Sequence, residues 1–402
     1  MMKTNTILSL VLFLMATIQL SAQNGERKVL FIGIDGVRSD ALQQASTPNL
    51  DTLFQQGLYT FTSWHLGITV SGPSWSTMLT GVWENKHGVT NNNYTNSNYN
   101  DYPYFVKRAK EIRPTLKAVQ ITSWGPMSNL VYNEGWDSKL VVNTDNDVVS
   151  AAQIQLLDPD LDVLFVHIDD VDAAGHGNGF SPIIPSYMNQ IQTVDGQVGQ
   201  ILSYLRSRPG YINGTEDWLI LLTTDHGGIG FGHGGNTTFE KEIWWAAIGS
   251  TVPTQQITVD MSDPNQWLNA PVLADIAVTA LDHLLIGVDP EAQVDWNLDG
   301  KSWCIDPADT LTSVTNTVSQ SYNIRIFPNP NDGNFKVLVD NAKGKLLCSI
   351  VDVNGRLITS KETMMYGNTA INFDNIQLTS GVYFVKITDE KNRSQTQKVI
   401  IN

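Results

Sequence analysis

WLILLTTDHGGIGFGHGG (218–235) is the stretch that decides the fold. From Trp218 to Leu222 it is continuously apolar. A strand with one wet face would alternate, whereas a run like this is buried on both faces, as in a parallel sheet covered by helices. At Asp225 the character changes. Asp225 and His226 are adjacent, His233 follows in the same run, and glycine fills most of the remaining positions. Glycines let the backbone come close to a ligand. In an open α/β sheet the carboxyl ends of the strands form the ligand crevice, and this strand ends on Asp-His.

Three further runs read the same way: KVLFIGID (28–35), KAVQIT (117–122) and DVLFVHID (162–169). Helix candidates lie between them, notably 186–207, where apolar residues recur at three- and four-residue steps. The pattern predicts an α/β fold over 27–303, a doubly wound, mostly parallel sheet sandwiched by helices. Two more strands end in acid, at Asp35 and at Asp169-Asp170, and DVDAAGH (170–176) adds Asp172 and His176. A lone Asp at such a place can be a helix cap. Three recurrences beside Gly or His point instead to a metal centre. Mixed carboxylate and imidazole donors favour Zn2+ or a similar metal over Ca2+, which prefers oxygen alone.

A fourth stretch, ITVSGPSWSTMLTG (68–81), sets Ser71 before Gly72-Pro73. Ser71 can be a helix cap, a serine destined for oxidation in sulfate-ester chemistry, or the nucleophile of a phosphate-ester hydrolase. Pro73 suits the first turn of a helix, whose amides would face an anion.

The chain has 402 residues, 42% of them hydrophobic, and a formal net charge of −15. That charge argues against a nucleic-acid partner, since phosphate backbones need a basic surface. The opening residues read as a signal peptide over 1–22: Lys3, an apolar run from Ile7 to Leu20, and a small-residue cleavage site at Ser21-Ala22-Gln23. Every tryptophan lies at or before Trp303. Residues 304–323 have the Ser, Thr, Asn and Asp content of a linker. From 324 to 402 short strands alternate with Asn, Gly and Asp turns, which predicts a small all-β sandwich. Cys304 and Cys348 lie far apart, so no disulfide framework is expected.

GIDGVRSDAL (33–42), the Ser71 stretch, DVDAAGH and TTDHGGIGFGHGG occur in the order of the alkaline phosphatase superfamily. Together they resemble most its type I phosphodiesterase/nucleotide pyrophosphatase branch, with similarity to the ethanolamine-phosphate transferases. The resemblance implies a two-metal hydrolase. Ser71 matches the nucleophile. Asp35, Asp225 and His226 match, with Ser71, the ligands of one metal, and Asp172, His176 and His233 those of the other. The implied cofactors are two divalent ions, Zn2+ foremost. Gly72 and Ser74 fall at substrate-binding positions, although Ser74 stands where the nucleotide-cleaving relatives are expected to carry Asn. Trp75 stands where the sulfatase modification signature requires Arg.

The tail resembles a type IX secretion C-terminal sorting domain through IFPNPNDGNF (326–335), VDVNGRLI (351–358), LTSGVYFVKI (378–387) and KVIIN (398–402). The expectation is thus an exported phosphoric-ester hydrolase, leaning to diesters, that acts on a small-molecule, glycan or lipid phosphate ester and engages the type IX secretion machinery. It would be secreted or held at the cell surface. A sulfatase or phosphomonoesterase on the same scaffold is the first rival, and an inactive surface-binding protein the second. Three minor features stand beside this. DWNLDGKSWCID (295–306) mimics a calcium loop or a closing turn. His87 reads as a helix-end residue. The Asn-rich loop 91–104 is placed over the crevice as a site of substrate selection.

Overall fold

The computed structural model describes residues 25–129, 135–286, 296–305 and 323–402, apart from 353–355, 375, 377 and 390–393. The signal-peptide segment and most of the linker lie outside the described residues. The chain divides into two compact units, with the division after Thr310.

The first unit is built on eight strands: β1 (Glu26–Ile34), β2 (Leu58–Trp64), β3 (Lys117–Thr122), β4 (Ser138–Val141), β5 (Leu161–Ile168), β6 (Glu216–Thr223), β7 (Glu242–Ile248) and β8 (Gln255–Ile257). Their order across the sheet is β4-β3-β5-β1-β6-β7-β2-β8. Pairing is parallel throughout, except that β7 runs against both β6 and β2. This is the mostly parallel sheet that the apolar runs predicted.

Alternation along β1 explains the layers. Leu30, Ile32 and Ile34 join one hydrophobic cluster, while Val29 and Phe31 join the other on the opposite face. All five are at most 1% exposed, and each such burial stabilises the fold by about 1.5–3 kcal/mol. The first face is covered by the helix Pro185–Ser207, whose Ile191, Val194, Val198, Ile201 and Leu205 are buried at helical spacing. Pro185 opens that helix, where its missing N–H costs nothing. The second face is covered by the helices Ser71–Thr80 and Asp275–Leu284, through Trp75, Met78, Leu79, Ile276, Ala277 and Ala280.

Strand β1 lies between β5 and β6, parallel to both. Ile34 is level with Ile168 and Gly33 with Thr223. The chain therefore leaves all three strands at the same edge, and there it delivers Asp35, Asp169 and Asp225 side by side.

The second unit is one antiparallel sheet in the order β11-β10-β12-β13, with β9 paired to β10. Its strands are β9 (Asn323–Phe327), β10 (Phe335–Asp352), β11 (Leu357–Phe373), β12 (Gly381–Asp389) and β13 (Ser394–Ile401). Separate short strands were expected where β10 and β11 run on. The two pair along their lengths, with a register shift between Val339 and Ala342. A bulge absorbs the turn-like residues there, because the partner strand continues to satisfy the backbone. Val337, Val339, Cys348, Ile350, Phe373 and Val385 are among its buried core residues.

Candidate metal centre

Two donor sets meet at the edge where β5, β1 and β6 end. In the first, His226 Nε2 lies 3.1 Å from Asp225 Oδ2 and 3.7 Å from Asp35 Oδ1. In the second, His176 Nε2 lies 3.3 Å from Asp172 Oδ2 and 3.2 Å from His233 Nε2, and His233 Nε2 is 3.8 Å from Asp172 Oδ1. The helix Asp170–Asn178 brings Asp172 and His176 onto one face, one turn apart. Asp172 also lies within reach of Asp35 and His226, so the two sets adjoin. All six residues singled out in the sequence converge.

Their orientations are fixed from behind. His226 donates Nδ1–H to Gly227 O, His176 to Phe231 O and His233 to Thr69 O, each at 2.8–2.9 Å. A histidine whose Nδ1–H is held by a carbonyl presents an Nε2 lone pair, the usual arrangement of a metal-ligating imidazole. Asp35 is similarly divided: its Oδ2 accepts from Trp75 Nε1 and His167 Nε2, both at 3.2 Å, while its Oδ1 has no hydrogen-bond partner among the described residues. Gly36 makes the approach possible. It sits at φ +69°, and a Cβ there would come within 2.7 Å of Asp172 Cα.

Ser71 heads the helix Ser71–Thr80, 4% exposed, with Oγ 3.4 Å from His226 Nε2. The helix starts at Ser71 itself, its N-cap is Val70, and no side chain caps it. The serine hydroxyl is thus turned to the donor cluster and does not cap the helix. Ser74 behaves otherwise. Its hydroxyl bonds Val70 O, Ile68 O and His65 Nε2, and the residue is fully buried. Held on the backbone of its own turn, it does not face the crevice as a substrate donor would. An asparagine does reach the residue after Ser71, but from elsewhere: Asn92 Oδ1 accepts from Gly72 N at 2.8 Å.

Charge explains what the cluster is suited to hold. Burial and the Asp225 carboxylate push Asp35 well above the usual carboxylate range, and burial with Asp172 does the same to Asp225. Burial, then Asp35 and Asp169, raise Asp172 to about 9. Burial lowers His226, and burial with His226 lowers His233 to about 3. Asp35 Oδ1, Asp172 Oδ1 and Asp225 Oδ2 are buried acceptors without hydrogen-bond partners among the described residues. Neutral imidazoles and unpartnered carboxylate oxygens, repelling one another, are a donor set that divalent cations satisfy. The residues fit divalent cations.

Sequence reasoning missed His167 and Trp75 as parts of this centre; it placed the loop 91–104 over the crevice without singling out Asn92, which bonds Gly72 N. His167 carried a signal, being a polar residue inside an otherwise apolar strand. His87 is 0% exposed and bonds Thr77 Oγ1 and Val89 N, so it is structural. In the calcium-like loop, Asp295 and Asp306 lie outside the described residues. Asn297 and Asp299 receive the Lys86 ammonium, and Asp299 N and Gly300 N donate to Gly81 O. A lysine already fills the place of a cation, and the segment serves as a closing turn on the helix Ser71–Thr80.

Residues 29–126 match the family model of type I phosphodiesterase/nucleotide pyrophosphatase, and residues 325–402 that of the secretion system C-terminal sorting domain. Human ectonucleotide pyrophosphatase/phosphodiesterase family member 7 is 24% identical over 229 residues, covering 51% of this chain and 49% of its own. Human family member 5 is 23% identical over 246 residues, covering 54% and 49%. The chain thus spans about half the length of the curated relatives it matches. Among solved structures, murine ectonucleotide pyrophosphatase/phosphodiesterase 5 in complex with AMP aligns at TM-score 0.50 and 16% identity, covering 65% of this chain and 95% of that one. A 2-O GAG sulfatase aligns at 0.53 and 14%, covering 86% and 85%. These two structures share the fold.

Proposed function

We propose that this chain, which joins a type I phosphodiesterase/nucleotide pyrophosphatase domain of the alkaline phosphatase superfamily to a C-terminal secretion sorting domain, is an exported two-cation phosphoric-ester hydrolase that prefers diesters. The observation that carries the reading is the buried Ser71 hydroxyl, 3.4 Å from His226 Nε2, beside two adjoining Asp-His donor sets.

Asp35, Asp225 and His226 would hold one cation next to Ser71, and Asp172, His176 and His233 the other. Zn2+ suits such mixed donors. When bound, the pair supplies positive charge that lowers the serine pKa and neutralises the phosphoryl oxygens. Ser71 Oγ gives its proton to solvent water and attacks phosphorus in line. The bond from phosphorus to the leaving oxygen breaks, and that oxygen takes a proton from water and leaves as an alcohol. Water then attacks the phosphoseryl ester, the Ser71 Oγ–phosphorus bond breaks, and the serine regains a proton. With Gly72 N holding Asn92 Oδ1, the Asn92 amide N–H groups are left to donate to a phosphoryl oxygen. Burial of Ser71 shields the first step, whereas the His176 side chain is 46% exposed and admits water for the second.

Trp75 favours phosphate over formylglycine-dependent sulfate chemistry. Its ring is fully buried against Gly33 and its N–H is spent on Asp35, so no arginine occupies that position. The sorting domain supports export through the type IX machinery to the cell surface or beyond. A panel of aryl phosphodiesters, monoesters and sulfates, run with Ser71→Ala, tests the reading. Diesters are expected to turn over fastest, and Ser71→Ala to lose at least a thousandfold in kcat with both cations retained. Full turnover by Ser71→Ala, or a preference for sulfates, would overturn it.

A further inference from the structure

Tyr94 leans over the head of the nucleophile helix. A Cβ built on Gly72 would lie 2.9 Å from Tyr94 Cζ, the ring carbon that carries the hydroxyl. The same Cβ would lie 2.9 Å from Asn92 Oδ1. Both residues come from the Asn-rich loop that follows the helix Glu84–His87. The loop is folded onto itself: Asn93 N donates to Asn91 Oδ1, Ser97 N to Tyr94 O, and Asn98 N to His87 O.

Two properties of Tyr94 have no explanation in packing. Its hydroxyl is buried and has no hydrogen-bond partner among the described residues. A buried phenol O–H normally finds one, and leaving it unmade is costly. Its backbone also sits at φ +56°, a region that residues other than glycine rarely adopt. Such strain persists where the surroundings over-determine a conformation, and it concentrates at ligand sites. Burial first, then the neighbouring Tyr99, Asp35 and Asp225, raise the phenol well above its usual range. Burial and these groups together keep it protonated, able to donate.

We propose that Tyr94 is a substrate-binding residue whose hydroxyl donates a hydrogen bond to an oxygen of the tetrahedral oxyanion held over Ser71, beside the amide of Asn92. The proposal rests on the phosphoester reading above and names a residue of this chain that recognises the anion. The ring walls the space above Gly72, and an anionic oxygen bound there would satisfy its buried O–H.

Tyr94→Phe removes the hydroxyl and keeps the ring. Inorganic phosphate binding to the cation-loaded protein, measured by calorimetry, is expected to weaken about tenfold to a hundredfold, as for the loss of a hydrogen bond to a charged group. kcat/KM for an aryl phosphodiester is expected to fall at least as far. Cation content and melting temperature are expected to stay at wild-type values. Unchanged phosphate affinity in Tyr94→Phe, with Ser71→Ala still inactive, would overturn the Tyr94 assignment alone. Loss of cations or of melting temperature in Tyr94→Phe would also overturn it, by showing a structural role. A wild-type protein that binds no phosphate would overturn both this assignment and the phosphoester reading.

Discussion

Asp35 is shaped as a ligand by two neighbours that never touch the crevice. Trp75 and His167 occupy its Oδ2, and this leaves Oδ1 unpartnered and aimed at His226. Outer-shell partners of this kind typically carry 10–100-fold in metal affinity or activity. Trp75→Phe, which keeps most of the buried ring, is therefore expected to weaken cation binding by about 10–100-fold in competition with a chelator. Affinity equal to wild type would show that the indole N–H contributes packing alone. The six proposed ligands could be read in the sequence because Asp35, Asp225 and His226 come within three residues of a buried strand's end, and Asp172, His176 and His233 lie in the Gly-bearing runs that follow such strands. Trp75 could not, because tertiary folding alone brings it to Asp35, and of the loop 91–104 the sequence showed the placement but not that Asn92 would bond Gly72. Ser74 illustrates the converse: its spacing from Ser71 matched a substrate-binding position, but its hydroxyl is taken up by the carbonyls of its own turn.

The helix Ser71–Thr80 must hold its head still, and it is anchored along its length. Gly81 ends it in the left-handed conformation at φ +76°, and the closing turn donates two amides to Gly81 O. Midway, Thr77 meets His87, a fully buried imidazole. Val89 N–H donates to His87 Nδ1, so Nε2–H is left to donate to Thr77 Oγ1. A proton on Nδ1 would face another N–H. Burial accordingly lowers His87 to about 4 from an ordinary value near 6.5. A histidine lowered on folding contributes its stability in full above about pH 6.5, and that contribution is lost as pH falls toward 4. At pH 5 the loss is about 2 kcal/mol. His87→Gln, which cannot charge, is expected to show a correspondingly shallower drop in urea-unfolding free energy between pH 7.5 and pH 5. Equal drops in both proteins would contradict the assignment. The strand elements were legible to different depths. The apolar runs placed β1, β3, β5 and β6 within two residues, but EIWWAAI (242–248) announces burial without direction, and only pairing makes β7 antiparallel.

At the scale of the whole molecule, two compact units divide the work. One carries every proposed ligand, and the other matches a secretion sorting domain. Deleting residues 324–402 is expected to leave diester turnover by the purified protein unchanged and to leave the product inside the producing cell. A loss of kcat on deletion would show that the tail supports the site. The doubly wound topology was readable because a parallel sheet needs both faces covered and therefore writes long apolar runs. The long strands of the second unit were not, because a bulge and a turn draw on similar residues. The proposed hydrolysis is a double displacement through Ser71, and the stereochemistry at phosphorus distinguishes it from a single one. Each in-line displacement inverts the phosphorus centre, so two in succession restore it. Hydrolysis of a chiral phosphorothioate diester in isotopically labelled water is expected to give net retention of configuration. Net inversion would mean that water attacks the ester directly, and it would contradict the account.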